Sequence, residues 1–542
     1  MKKILSIVMI AAVALSAWAV PARRDALLRT AADGTQKTVY LHGNEHFHYL
    51  TDAAGNWLDE QTLAPLSKEQ KEALQKEGLA RQARRAQQQL NGIGDEPNPA
   101  PRGLVILANF KDIQFVTPKD TLDSMLNARH FTRSYSYDYE YISPKTGEPA
   151  VYHYEGSSEG SARQYFYDQS YGQYNPQFDV VGPVTVSQNA SYYGSNNNQN
   201  AVRMIIEACK LADQQGVDFS QYDNDQDGYV DFVYVIYAGF GESDGGPEWT
   251  IWPHAWDISS YNYKHDGKTL GRYACGSELS FYSKIYMGIG IFCHEFSHVL
   301  GLPDLYETNN PQTGIHTLCE WDELDYGPYN NDANTPPSYS AYERFYMKWL
   351  TPRMLKDPEY VVLNPINEKD GESLLISTAN THNLVGWNPN PTTFYLLEVH
   401  NQDGWDMDLP GPGMLITKIQ FNKNTWTGNT VNNNYRSMGV DILEAYSNTS
   451  VYGAATDAYP AGSNEWIDFE DHEITNIVRD PATGAVSFSY RNAPIPTDIE
   501  EVESRKSKAE SRKVLKDGRI YILREGKTYD LLGFEIYEDN QL

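Results

Sequence analysis

The spacing of apolar positions changes along the chain, and each change marks a different kind of unit. Ile4 to Leu15 is an apolar run behind Lys2 and Lys3, followed by Ala17-Trp18-Ala19. The run is too short to span a bilayer comfortably, and the small-x-small pattern suits signal peptidase, so residues 1–19 read as a secretory signal peptide. A strand-like stretch follows at Thr38 to Tyr49, and Ser67 with Gln70 forms a capping box ahead of a helical composition over Lys68 to Leu90. Asn91 to Pro99 is rich in Gly, Pro and Asn and has no apolar face, which marks a linker. Residues 20–100 are therefore expected to be a removable pro-region, making the chain a zymogen.

The next unit, 101–352, mixes both periods. Gly103 to Phe110 and Phe232 to Tyr237 read as buried strands. Ala201 to Gln214 repeats apolar residues at helical spacing, and so does Tyr339 to Leu350, which Thr351-Pro352 closes. From 353 to 492 short apolar runs such as Tyr360–Leu363, Phe394–Val399, Gly413–Ile416 and Ala485–Tyr490 alternate with Asn, Gly, Pro and Asp. That rhythm predicts an all-β sandwich. Residues 493–542 hold a charged tether from Ile495 to Lys513 and two short strand candidates, Ile520–Leu523 and Tyr529–Leu532. The tail reads as a sorting or surface-docking signal. The fold class expected is α+β.

Composition narrows the function. A chain of 542 residues exceeds one ordinary core, and its 44 Lys+Arg against 72 Asp+Glu give a formal charge of −28. That field repels nucleic acid and anionic lipid and suits hard cations such as calcium. Nucleic acid and a transmembrane anchor are not expected; a secreted monomer acting on protein or peptide substrates is. The four cysteines, Cys209, Cys275, Cys293 and Cys319, allow three pairings or none.

The chemistry is concentrated at His294-Glu295-Phe296-Ser297-His298-Val299-Leu300-Gly301-Leu302-Pro303-Asp304. Positions four apart share a helix face, so His294 and His298 can ligate one ion. Gly301 stops the helix cheaply and Pro303 prevents its continuation, so the chain bends back and delivers Asp304 as a third ligand. Three protein ligands leave one position open, as in catalytic rather than structural zinc sites. Glu295, beside the first ligand, is the general base for a zinc-activated water and returns the proton to the leaving amine.

The motif H-E-x-x-H-x-x-G-x-x-D resembles that of the immune inhibitor A-like metallopeptidases, a metzincin-type group of secreted bacterial proteases. Segments at Gly103–Phe110, Tyr165–Pro183, Tyr222–Gly239, Ile251–His254 and Trp321–Leu350 are similar to that family, as are Tyr395–Glu398 and Gly404–Ile416. The resemblance covers about residues 100 to 490. It implies a zinc endopeptidase with ligands His294, His298 and Asp304, and Glu295 as base. One position departs: Leu324 stands where such enzymes place a methionine beneath the metal. Leucine is nearly isosteric, so the floor is expected to survive at some risk to metal affinity. The resemblance also offers Tyr326 as an oxyanion contact, with a packing tyrosine as the alternative. A rival reading of the whole chain, favoured only by Leu324, is an inactive protease scaffold that binds host protein or glycan.

A second metal motif is Asp223-Asn224-Asp225-Gln226-Asp227-Gly228-Tyr229-Val230-Asp231. Carboxylates at loop positions 1, 3, 5 and 9, glycine at 6 and the Tyr229 carbonyl suit calcium, although Tyr234 replaces the usual position-12 glutamate. A structural calcium loop leading into a strand is expected. His254 and Cys293 read as packing residues. His46 and His48, alternating in the pro-region, read as strand packing rather than latency ligands.

Overall fold

The computed structural model describes most of residues 21–496 and strand residues within 511–529; the longest stretches outside it are 1–20, 77–99, 309–316, 497–510 and 530–542. The signal peptide, His46 and most of the 68–90 helix therefore lie outside the described residues.

The N-terminal unit is a four-stranded antiparallel sheet in the order Ala26–Thr30, Gln36–Gly43, His48–Thr51, Trp57–Leu58. The stretch read as one strand over 38–49 is thus two strands of a hairpin. The Ser67–Gln70 capping box forms, with the Ser67 N–H donating to Gln70 Oε1 at 2.9 Å and the Gln70 N–H to Ser67 Oγ at 3.2 Å. Leu27, Val39, Leu41, Leu50 and Leu58 close over Trp252 and Tyr282 of the following unit. The sheet therefore completes its core only by docking. Arg23 anchors it: the buried guanidinium donates to Asp244 Oδ1 at 2.9 Å and Asp332 Oδ1 at 2.6 Å, and lies 4.0 Å from the Tyr282 ring centroid.

The central sheet has the order His254–Asp257, Arg272–Leu279, Val233–Phe240, Arg102–Asn109, Gln177–Thr185. Only the edge pair, His254–Asp257 with Arg272–Leu279, is antiparallel. Both faces are covered, which is why these strands read as continuous apolar runs. Leu104, Ile106, Val233 and Val235 pack toward the Ala201–Gln214 helix, whose boundaries match the sequence pattern. Val105, Leu107, Tyr234 and Ile236 face the opposite way, toward Phe292 and Phe296 of the Gly290–Val299 helix. A mostly parallel sheet between helices is a layered mixed arrangement, more specific than the α+β expected. A tyrosine-rich hairpin, Thr132–Ile142 with Pro149–Glu159, was not among the elements read from the sequence and reaches Asn331 through the hydroxyls of Tyr135 and Tyr154.

The helix expected over Tyr339–Leu350 is shorter, Ala341–Tyr346, started by a Ser340–Glu343 capping box. Lys348 takes φ 63°, a left-handed conformation that ends the helical path before the apolar stripe does. Beyond it stand a five-stranded sheet and a four-stranded sheet. The first has the order Arg353–Met354, Leu374–Ile376, Thr393–His400, Gly413–Gln420, Val440–Ile442, the second Glu359–Leu363, Val486–Tyr490, Glu473–Arg479, Trp466–Ile467. Leu374, Ile376, Leu397 and Ile416 of one share a core with Val361, Leu363, Phe488 and Tyr490 of the other. In the tail, Ser511–Lys516 is a strand paired with Arg519–Arg524, so it overlaps the end of the segment read as a tether. All four cysteines are buried and none forms a disulfide. No described helix is long and apolar enough to cross a membrane.

Candidate metal centre

The helix that carries the motif is buried on every side, from Gly290 to His298. Such a helix must satisfy its polar side chains internally. Ser297 Oγ donates to the Cys293 carbonyl at 2.6 Å and also meets the Tyr339 hydroxyl. Phe292 and Phe296 interlock with Phe178 and Phe232, a cluster in which each buried ring contributes about 1.5–3 kcal/mol. Gly301 follows the helix at φ 99°, which only glycine adopts without strain, and the chain turns back there.

His294 and His298 each spend one ring nitrogen on a backbone carbonyl. His294 Nδ1 donates to the Glu323 carbonyl at 2.7 Å and His298 Nδ1 to the Leu302 carbonyl at 2.9 Å. A carbonyl can only accept, so both Nδ1 atoms carry protons, and the neutral rings turn bare lone pairs outward at Nε2. The two Nε2 atoms lie 3.0 Å apart, and each is 3.2 Å from Asp304 Oδ1, which accepts no hydrogen bond. All three side chains are fully buried. Burial depresses the His294 pKa and keeps the ring neutral.

Three electron-rich atoms packed this closely repel one another unless a cation sits among them. Ligands about 2.0–2.2 Å from a tetrahedral zinc stand roughly 3.3–3.6 Å apart, a little wider than the 3.0–3.2 Å found here. The residues present thus fit a zinc ion, with second hydrogen bonds that fix ring orientation as metal-site histidines require.

Glu295 is on the same helix and fully buried. Leu324 is fully buried, and its carbonyl accepts from the Leu305 N–H at 2.8 Å, tying its segment to the one that carries Asp304. Tyr326 is partly exposed, with its backbone N–H donating to the Cys319 carbonyl. His254 is structural: Nδ1 donates to the Trp252 carbonyl at 2.8 Å and Nε2 pairs with the Tyr273 hydroxyl at 2.8 Å. Cys293 is a core residue.

The acidic loop is assembled in part. Asp223, Asp225 and Asp227 converge, and Gly228 takes φ 94° at the sharp turn. Asp231 does not join them; its Oδ2 accepts from the Asn224 backbone at 2.5 Å and Asn224 Nδ2 at 2.9 Å. Tyr229 opens a short strand paired with Thr269, and its side chain faces solvent. Lys268 Nζ already contacts Asp223 Oδ2 at 2.5 Å. Three of the five expected ligands, Asp223, Asp225 and Asp227, are thus brought together, with Lys268 as a competing cation.

Two features of the metal centre had no signal in the sequence. One is the Glu323 carbonyl that orients His294. The other is Asn429, far along the chain, which holds Asp304.

A buried helix offering two imidazoles, a returning aspartate and an adjacent glutamate defines a metallopeptidase-type domain. Residues 98–351 match the family model for the catalytic domain of immune inhibitor A peptidase M6. Immune inhibitor A of Bacillus thuringiensis subsp. alesti is 27% identical over 227 residues, 36% of this chain and 33% of that protein. The pre-pro-metalloprotease PrtV of Vibrio cholerae serotype O1 is 27% identical over 217 residues, 35% of this chain and 23% of that protein. The matches thus span a third or less of these relatives' length.

Proposed function

We propose that the chain is a zinc-dependent endopeptidase that hydrolyses internal peptide bonds of protein substrates. The observation that carries this reading is the convergence of His294 Nε2, His298 Nε2 and Asp304 Oδ1 at 3.0–3.2 Å. When bound, zinc supplies Lewis acidity toward the scissile carbonyl and toward water. Glu295 accepts the proton of the attacking water and delivers it to the departing amide nitrogen. Tyr326, partly exposed beyond the Leu324 floor, is the candidate to meet the developing oxyanion.

The domain plan is read as metzincin-type at 101–352, followed by a β-sandwich at 353–492. His294, Glu295, His298 and Asp304 have no exposed surface in the whole chain, so substrate reaches Glu295 only after a cover moves. The N-terminal sheet docks on Trp252, just before the edge strand His254–Asp257 that packs against the metal helix. This placement supports residues 20–100 as a removable pro-region. Asp223, Asp225 and Asp227 are the residues that would hold calcium, in a structural role. The Lys2 to Ala19 pattern supports export to the extracellular medium.

Casein hydrolysis by the processed protein is the test. Glu295→Ala and, separately, chelation should each abolish it, the substitution by about 10²–10⁴-fold. Activity that survives both treatments overturns the mechanism.

A further inference from the structure

The third ligand is held by a residue outside the matched catalytic stretch. Asn429 Oδ1 accepts from the Asp304 N–H at 2.8 Å, and Asn429 Nδ2 donates to Asp304 Oδ2 at 2.5 Å. One carboxamide thus grips both the backbone and the side chain of Asp304. With Oδ2 engaged, Oδ1 is the oxygen that faces the two imidazoles. Free rotation of the carboxylate would cost Asn429 its bond and leave a buried amide donor unpaired.

The grip is itself built in. Asn429 is 4% exposed and takes φ 50°, a left-handed conformation that asparagine tolerates better than most side chains. It follows the short helix Lys423–Thr427, whose Trp426 is buried in the catalytic core against Tyr342 and Phe421. The neighbouring residues zip the same two segments together. Thr308 Oγ1 donates to the Asn429 carbonyl at 2.6 Å, the Thr308 N–H to Asn433 Oδ1 at 2.7 Å, and Asn432 Nδ2 to the Leu305 carbonyl at 2.7 Å. Residues 304–308 are therefore fastened to 429–433 along their length.

We propose that Asn429 is a positioning residue of the metal centre, fixing the rotamer of Asp304 so that one oxygen points at the metal. The centre is then completed by the C-terminal β-rich unit, and residues 101–352 alone do not carry it whole. This rests on the zinc reading above.

The test is zinc affinity of the full chain, measured by competition with a chromophoric chelator, alongside thermal unfolding with and without zinc. Asn429→Ala should weaken zinc binding by 10–100-fold, the usual effect of losing such an outer hydrogen bond. Asn429→Asp keeps the volume but sets a carboxylate against Asp304, and should weaken it at least as much. Asn433→Ala removes only the Thr308 contact; it should lower the melting temperature and leave zinc affinity unchanged. If both Asn429 variants bind zinc like the parent, the proposal is overturned and the metal reading stands. A parent chain that binds no zinc overturns both.

Discussion

At the scale of single residues, the centre is decided by where protons sit. The carbonyls of Glu323 and Leu302 claim the Nδ1 protons of His294 and His298, which leaves both Nε2 lone pairs directed at one point. Glu295 does different work from its neighbours, so substitutions should separate binding from chemistry. In the casein assay, Glu295→Gln should lose activity while keeping its zinc, whereas His298→Ala should lose both. The convergence of His294 and His298 was legible because helix geometry converts an i, i+4 spacing into a shared face. Asn429 was not legible: 125 positions separate it from Asp304, and only the fold brings them together. Asp231 was read only as a cation ligand, whereas its Oδ2 also accepts two hydrogen bonds from Asn224.

At the scale of elements, the metal helix is held by what presses on its start. A Cβ added at Gly290 would lie 2.0 Å from the Pro328 carbonyl oxygen, a backbone atom that cannot swing aside. Gly290→Ala should therefore destabilise the chain by about 1–3 kcal/mol in denaturant unfolding. A change below about 0.5 kcal/mol, the range of ordinary surface substitutions, would show that this packing is not as described. Strands and helices with one consistent period were readable, such as Ala201–Gln214 and Arg102–Asn109. The stripe at Tyr339–Leu350 misled because its aromatic residues are buried by tertiary packing after the helix has ended. The Thr132–Glu159 hairpin was missed although Tyr135, Tyr137, Tyr139 and Tyr141 alternate strictly with Ser and acidic residues, a strand period carried by tyrosine rather than by aliphatic side chains.

At the scale of the whole molecule, the units complete one another. The N-terminal sheet borrows Trp252 and Tyr282 for its core, and the β-rich unit reaches back to Asp304. Arg23 is the polar fastening of the first of these contacts. Arg23→Met would leave Asp244 and Asp332 as buried carboxylates without their cation, a loss of about 3–5 kcal/mol. Amide exchange across Ala26–Leu58 should then accelerate while Arg102–Asn109 stays protected; unchanged exchange in the N-terminal sheet would contradict the anchoring role. The sequence pattern does not disclose these contacts, which join residues 125 to 309 positions apart.

The most direct test of the metal centre is anomalous scattering at the zinc edge from crystals of the full chain. The account predicts one strong peak about 2.0–2.2 Å from His294 Nε2, His298 Nε2 and Asp304 Oδ1. No peak among those three atoms after zinc soaking, or a peak elsewhere alone, would contradict it.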